Sequence, residues 1–271
     1  GGTKTIRVGS GGVMLPNHAP LVIAEQFGTL ASIYPERIEL GLGRAPGTDQ
    51  LTARALRRDL LGSDDRFPQD VRELQHYFGP IQEGQAVKAI PGAGTEVPIW
   101  ILGSSLYGAQ LAAHFGLPYA FASHFAPEQL LDAMSTYREL FKPSDKLSKP
   151  YCAFVMNVVA ADTDEEAAHL FTTLQQNVIR MRRNTRGQLP PPIANLDDFC
   201  EPHEKTTAAH ALRCSAVGSM ETVRREMQYW LDQTGANEMI ITGQIYDHQA
   251  RLRSFEIAAE AAEGLRFSSK A

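Results

Sequence analysis

The chain is poor in cysteine: Cys152, Cys200 and Cys214 are the only three in 271 residues. They are odd in number, widely spaced and without a C-x-x-C pair, which excludes a disulfide framework and a thiolate metal knuckle. Cys152 sits inside an apolar, strand-like run and reads as a buried thiol, and a reducing cytoplasm fits this usage. Long apolar runs are missing too. None approaches the roughly 20 residues that span a bilayer, so no membrane is expected as a partner. Positive charge is not in excess, since 26 Lys and Arg against 31 Asp and Glu leave a net charge of -5. With both signs interspersed, a nucleic-acid backbone is excluded as the partner. Gly1 to Thr5 carries no signal-peptide pattern. There is no pair of carboxylates, His-rich metal pattern, Walker loop or nucleophile elbow either, so no metal is expected and any redox chemistry must come from a cofactor.

What the chain does have is a globular composition, 43% hydrophobic and 21% charged, and a length that suits one α/β barrel or two smaller domains. Strand-like runs lie at Thr5 to Val8, Ile38 to Leu42, Val97 to Leu102, Pro118 to Ala122, Tyr151 to Val159 and Glu238 to Gln244. Helical patterns lie between them. Pro20 to Ile33 groups Val22, Ile23, Phe27, Leu30 and Ile33 on one face, and Ser104 to Phe115 repeats this with Leu106, Leu111 and Phe115. Others run from Pro127 to Phe141, Thr163 to Arg182, Met220 to Thr234 behind Ser219 and Thr222, and Arg253 to Glu263. Such alternation implies parallel strands and right-handed crossovers. Two stretches interrupt it. Leu61 to Pro98 holds a helix-like piece with Val71, Leu74 and Phe78, then a Gly/Pro-rich surface excursion from Gly79 to Gly94. Asn184 to Glu204, with Pro190, Pro191 and Pro192, is too long for an ordinary loop and reads either as a lid or as a passive surface insertion.

Chemistry is suggested where strands end in glycines. Arg7-Val8-Gly9-Ser10-Gly11-Gly12-Val13-Met14-Leu15-Pro16 is followed, one helix later, by Arg37-Ile38-Glu39-Leu40-Gly41-Leu42-Gly43-Arg44-Ala45-Pro46-Gly47. Both runs bring backbone close to something or bend it sharply. For Ser10, Gly11 and Gly12 the alternatives are a ligand seat and a plain tight turn. Arg44, an always-charged planar fork beside glycines, suits a phosphate; its alternative is a surface pair with Asp49. A dinucleotide fingerprint is disfavoured because Pro46 stands where the next helix should open. A third run, Trp100-Ile101-Leu102-Gly103-Ser104-Ser105-Leu106-Tyr107-Gly108, puts Ser104 and Ser105 at a helix start, where hydroxyls and free N–H groups make either an anion site or a simple cap. His18, beside Asn17, and His124, beside Ser123 and Phe125, are the candidates for proton transfer, with Tyr246, Asp247 and His248 pocket-lining by position alone.

These runs and their spacing resemble the bacterial luciferase-like, flavin-dependent monooxygenase family. The resemblance covers nearly the whole chain. It implies a TIM-type (β/α)8 barrel with an FMN site at the C-terminal strand ends, made by Ser10, Gly11, Gly12, Arg44, Gly103, Ser104, Ser105 and Gly108. Gly11-Gly12 would correspond to a non-prolyl cis peptide under the flavin ring, and Arg44 to the arginine that binds the FMN phosphate. It further implies reduced FMN supplied by a flavin reductase, O2, a small organic substrate and a homodimer formed through the early barrel helices. A deazaflavin-dependent oxidoreductase and a flavin-binding protein without turnover remain the alternatives. The six strand-helix units match the third to eighth of the family, so 1–271 is expected to be a single barrel domain, with 184–204 a loop excursion. The first two units, which in the family carry an acidic-His-His segment, are expected to be missing from a cut N-terminus.

Overall fold

The structure, a computed structural model, describes residues 1–45, 66–185 and 187–267. Pro46, Gly47 and Asp49 lie outside the described residues, as does the start of the Leu61 to Pro98 stretch. The fold is α/β with parallel strands, and the described residues cluster into two compact units. The first comprises Gly1–Gly103, Tyr107–Tyr119 and Leu140–Pro150; the second comprises Ser104–Leu106, Ala120–Glu139 and everything from Tyr151 onward.

In the first unit, β1 (Val8–Met14), β2 (Ile38–Gly43) and β3 (Ile99–Gly103) run parallel. The register aligns Val8 with Ile38, Met14 with Gly43, Leu40 with Ile99 and Gly43 with Leu102, and it shifts between Gly11 and Val13. β2 is flanked on both sides, so Leu40 and Leu42 are fully buried, as expected for the middle of a parallel sheet. β1 differs from the expected Thr5 to Val8. Hydrogen bonding continues through the glycines to Met14, because glycine can follow the bulged backbone where propensity alone would stop a strand.

Three helices accompany these strands: α1 (Pro20–Ile33), α2 (Phe67–Phe78) and α3 (Leu106–Phe115). α2 carries the foreseen Val71, Leu74 and Phe78 on its buried side. α1 turns inward a face rotated from the one its periodicity suggests, keeping Ile23 buried and Phe27 half-buried. It buries Ile23, Ala24 and Gly28, while Val22, Leu30 and Ile33 are 47%, 41% and 59% exposed. The reason is backbone proximity. A Cβ on Gly28 would run into the backbone of Gly92, and one on Gly92 would lie 2.7 Å from the Ala24 carbonyl, so small residues decide which face docks.

In the second unit, β5 (Cys152–Ala160) is the axis. β7 (Glu238–Thr242) pairs with its first half, Ala153 to Asn157, and β6 (Ser215–Gly218) with its second half, Asn157 to Ala160. β6 is the strand that the sequence reading lacks; with four residues ending in glycine, it reads as the approach to the next helix. β4 (Tyr119–Phe121) precedes α4 (Leu130–Leu140), and α5 (Asp164–Arg182), α7 (Met220–Thr234) and α8 (His248–Ala262) complete the alternation. Ser219 does not cap α7 with its own side chain. Asp164, the first residue of α5, does so instead, accepting from Ser219 N (2.6 Å) and from Thr222 Oγ1 (3.2 Å). At the other end of α7, Arg138 donates to the Thr234 and Gly235 carbonyls at 2.6 and 2.7 Å. All three cysteines are buried and free, and burial pushes the Cys214 thiol up to about 11.

The described part of Asn184 to Glu204 is tied down. Thr173 Oγ1 donates to Pro190 O (3.1 Å) and Gln176 Nε2 to Pro191 O (2.9 Å). Beyond them, α6 (Pro202–Ala211) joins Leu196, Cys200 and Leu212 in an apolar cluster against Leu174, Val178 and Ile179 of α5. Glu204 pins this corner. It accepts from Arg183 Nε at 2.7 Å and Nη2 at 2.5 Å, and from the Glu201 N–H at 3.0 Å. The Arg183 hydrogen bonds, followed by that N–H, hold its carboxyl at about 2, below the ordinary 4.5. A depressed carboxylate stabilises the fold above its ordinary pKa, and that contribution is lost as pH falls through the depressed value. Urea midpoints should therefore fall between pH 4.5 and 2, and Glu204→Gln should flatten that fall; parallel profiles for the two proteins would refute the assignment.

Candidate functional site

In the first unit the second halves of β1 and β2 are rich in glycine, with Gly11 and Gly12 on one strand and Gly41 and Gly43 on the other. Ser10 Oγ donates to Gly41 O (2.9 Å) and accepts from Gly41 N (3.0 Å), so its hydroxyl staples β1 to β2. The Gly11–Gly12 peptide is cis, as the resemblance implied. Inward there is no room: a Cβ on Gly12 would lie 2.5 Å from Leu102 Cδ1 and 2.8 Å from Gly41 O, and one on Gly41 would collide with Ser10 O. Outward there is. Gly11 is exposed, and nothing lies within 4 Å of its Cβ position. The result is a bare backbone platform that a flat ring could approach to van der Waals distance.

Arg44 follows β2 directly and is exposed, with its guanidinium carbon 4.1 Å from the centroid of the Tyr107 ring. Tyr107 belongs to the first turn of α3, and the closeness of that turn to β3 depends on two glycines. A Cβ on Gly103 would sit 3.4 Å from Gly108 Cα, and one on Gly108 would sit 3.3 Å from the Tyr119 ring. Stacking on an aromatic face holds a guanidinium in place while leaving its N–H groups directed around the rim. Ser104, exposed, and Ser105, half-buried, occupy the two positions between Gly103 and α3, where a helix of ten residues presents its positive end. Tyr107 is the member that sequence reasoning missed. Its signal was its position beside Gly108, inside the run already singled out.

The histidines fare differently. His18 is exposed, and its backbone N–H donates to Leu15 O (2.9 Å). His124, in the second unit, follows β4, and its carbonyl accepts from Asn157 Nδ2 (2.7 Å). Phe125 meets the His124 ring edge-on at 4.7 Å. Burial lowers the pKa of this imidazole, and its Nδ1 is enclosed with no hydrogen-bonding partner among the described residues. Asp247 is spent as the cap of α8, accepting from Ala250 N (2.8 Å); His248 Nδ1 lies 3.2 Å from Arg251, and Tyr246 is exposed. Among the described residues no group of three or more His, Cys, Asp or Glu could hold a metal ion, and no helix is long and apolar enough to cross a membrane.

With this geometry in hand, comparison with known proteins is decisive about ancestry. The family description "Luciferase-like monooxygenase" matches residues 1–238. The chain belongs to that family. It is 54% identical to a luciferase-like monooxygenase of Escherichia coli K12 over 263 residues, covering 97% of this chain and 78% of the relative. Among solved structures, apo-MsnO8 superposes with a TM-score of 0.88 at 35% identity, covering 96% of this chain and 79% of that one. The TIM-type fold class expected from the sequence is therefore that of the family. The oxygenating constituent of 3,6-diketocamphane monooxygenase from Pseudomonas putida, solved with FMN, shares the fold at a TM-score of 0.68 and 19% identity, over 99% of this chain and 82% of its own.

Two substitutions separate a ligand platform from a structural turn in this luciferase-like chain. Gly12→Ala should cost about 1–3 kcal/mol of stability through overpacking, read as a lower denaturant midpoint. Gly11→Ala, whose methyl enters open space, should leave that midpoint near wild type but impair flavin binding in a fluorescence-quenching titration. Unimpaired binding in Gly11→Ala would show that nothing docks there.

Proposed function

We propose that this protein is an FMN-dependent monooxygenase of the cytoplasm, using reduced flavin from a separate reductase and O2 to oxidise a small organic substrate. One observation carries the reading: the first unit contains both a bare backbone platform at Gly11 and Gly12 and an exposed guanidinium seated on an aromatic ring. A flavin ring has the shape for the first, and a terminal phosphate has the charge and oxygen fork for the second. Gly11, Gly12 and Gly41 would lie under the ring, and Arg44 would bind the phosphate. Ser10 acts through the platform, since its hydroxyl is engaged with Gly41. Gly103 and Gly108 act through α3, letting it begin close to its strand. The bound cofactor supplies the electron transfer, while these residues bind and orient it.

The phosphate half of this reading is tested by affinity ratios. The wild type should bind FMN much more tightly than riboflavin, which lacks the phosphate. Arg44→Ala should weaken FMN binding by about 1.5–3 kcal/mol, the scale of a hydrogen bond to a charged group, and leave riboflavin binding unchanged. Tyr107→Leu should lose a smaller part of the same preference, on the order of 0.5–2 kcal/mol. Equal loss of both ligands in Arg44→Ala would remove the arginine from the phosphate. Oxygen-dependent NADH consumption in the presence of a flavin reductase separates an enzyme from a passive flavin binder, and a parallel titration with a deazaflavin coenzyme decides between the two cofactors.

A homodimer is the subunit state that α1 supports. Val22, Leu30 and Ile33 are apolar, and each is at least two-fifths exposed. A second copy of the chain would bury this stripe in an isologous contact. Light scattering should give a dimer at micromolar concentration and a monomer for Leu30→Glu with Ile33→Glu; a wild-type monomer would refute the interface.

A further inference from the structure

Nδ1 of His124 is the one enclosed side-chain nitrogen or oxygen left without a hydrogen-bonding partner among the described residues. Its surroundings make the exception informative, because the neighbouring polar groups are used inside the second unit. Ser123 Oγ donates to Val155 O (2.6 Å), Asn157 Nδ2 to His124 O (2.7 Å) and Ser215 Oγ (3.3 Å), and Ser215 Oγ to Leu212 O (2.6 Å). The charged side chains on the adjoining segments are likewise engaged. His210 Nε2 lies 3.5 Å from Glu128 and 3.1 Å from Arg213 Nη1, and Arg213 Nη2 donates to Pro127 O at 2.8 Å. Burial is what acts on the imidazole, and it favours the neutral ring.

A neutral imidazole carries one proton, and the enclosure decides where. A buried N–H without an acceptor is rarer and costlier than a buried lone pair, so Nδ1 bears the lone pair and the proton sits on Nε2. His124 is only half-buried. With Nδ1 enclosed, the edge it presents outward is the one that carries Nε2. Phe125, 54% exposed and set edge-on to the ring at 85°, adds apolar surface beside it.

We propose that His124 is a hydrogen-bond donor of fixed tautomer at the end of β4, whose Nε2–H binds the carbonyl oxygen of a small, otherwise apolar ketone. This role differs from the proton transfer considered from sequence, because the Nε2 proton is held and not given up. The groups that carry this assignment all belong to the second unit, so it stands apart from the FMN reading above.

Nitrogen-15 NMR of the imidazoles in the full chain, with His124 assigned through His124→Phe, tests this directly. The expected spectrum at neutral pH is that of the Nε2–H tautomer, with the Nε2 resonance moved by cyclohexanone. The affinity for cyclohexanone should fall at least fivefold in His124→Phe and be largely restored in His124→Gln, which keeps an N–H donor. A charged ring, an Nδ1–H tautomer, or an Nε2 resonance unmoved by cyclohexanone overturns the proposal. FMN affinity measured separately by fluorescence bears on the FMN reading alone.

Discussion

Close approach of backbone to backbone at the ends of β1, β2 and β3 is the constraint on which the candidate cofactor site depends. Gly12 and Gly41 face one another with Leu102 beside them, and the Ser10 hydroxyl bridges both polar groups of Gly41. Any side chain at Gly12 or Gly41 would push the strands apart, and the platform would go with them. The same device recurs one step along the chain. Gly103 and Gly108 let α3 start against its own strand, which brings Tyr107 to the Arg44 guanidinium. Absence of side-chain volume thus builds both halves of the site, one by flattening a surface and the other by shortening a distance.

The second unit uses a different economy of contacts. β5 is buried along nearly its whole length and pairs with β7 over its first half and β6 over its second, with Asn157 in register with both Ser215 and Thr242. Its side-chain amide also holds the carbonyl of His124. A single buried amide therefore connects strand register to the orientation of the segment that carries the imidazole. Buried polar groups of this kind cost stability unless satisfied, and in exchange they specify one arrangement.

Much of the architecture was legible because period and punctuation agree. Runs such as Ile38 to Leu42 and Tyr151 to Val159 lie within a residue of the observed strands, and Met220 to Thr234 is an observed helix to the residue. The misreadings have physical causes. β6 is too short to show a period, and β1 continues through glycines that propensity treats as a stop. The buried face of α1 is rotated from its apolar periodicity because Ala24 and Gly28 admit the Gly92 backbone, while Ile23 stays buried. α7 is capped from Asp164, fifty-five positions before Ser219, and no local pattern encodes that partner.

The sequence by itself determined the class of fold, the family and the glycine and arginine positions of the candidate cofactor site, because these follow from local alternation and from residue types with few interchangeable uses. Tertiary structure decided the rest. Whether Ser10 offers its hydroxyl to a ligand or to Gly41, whether Tyr107 is a helix residue or a seat for Arg44, and which nitrogen of His124 is enclosed all depend on atoms brought close from distant positions. A side chain's chemistry is written in its residue type, but its availability is set by what its neighbours in space have already claimed.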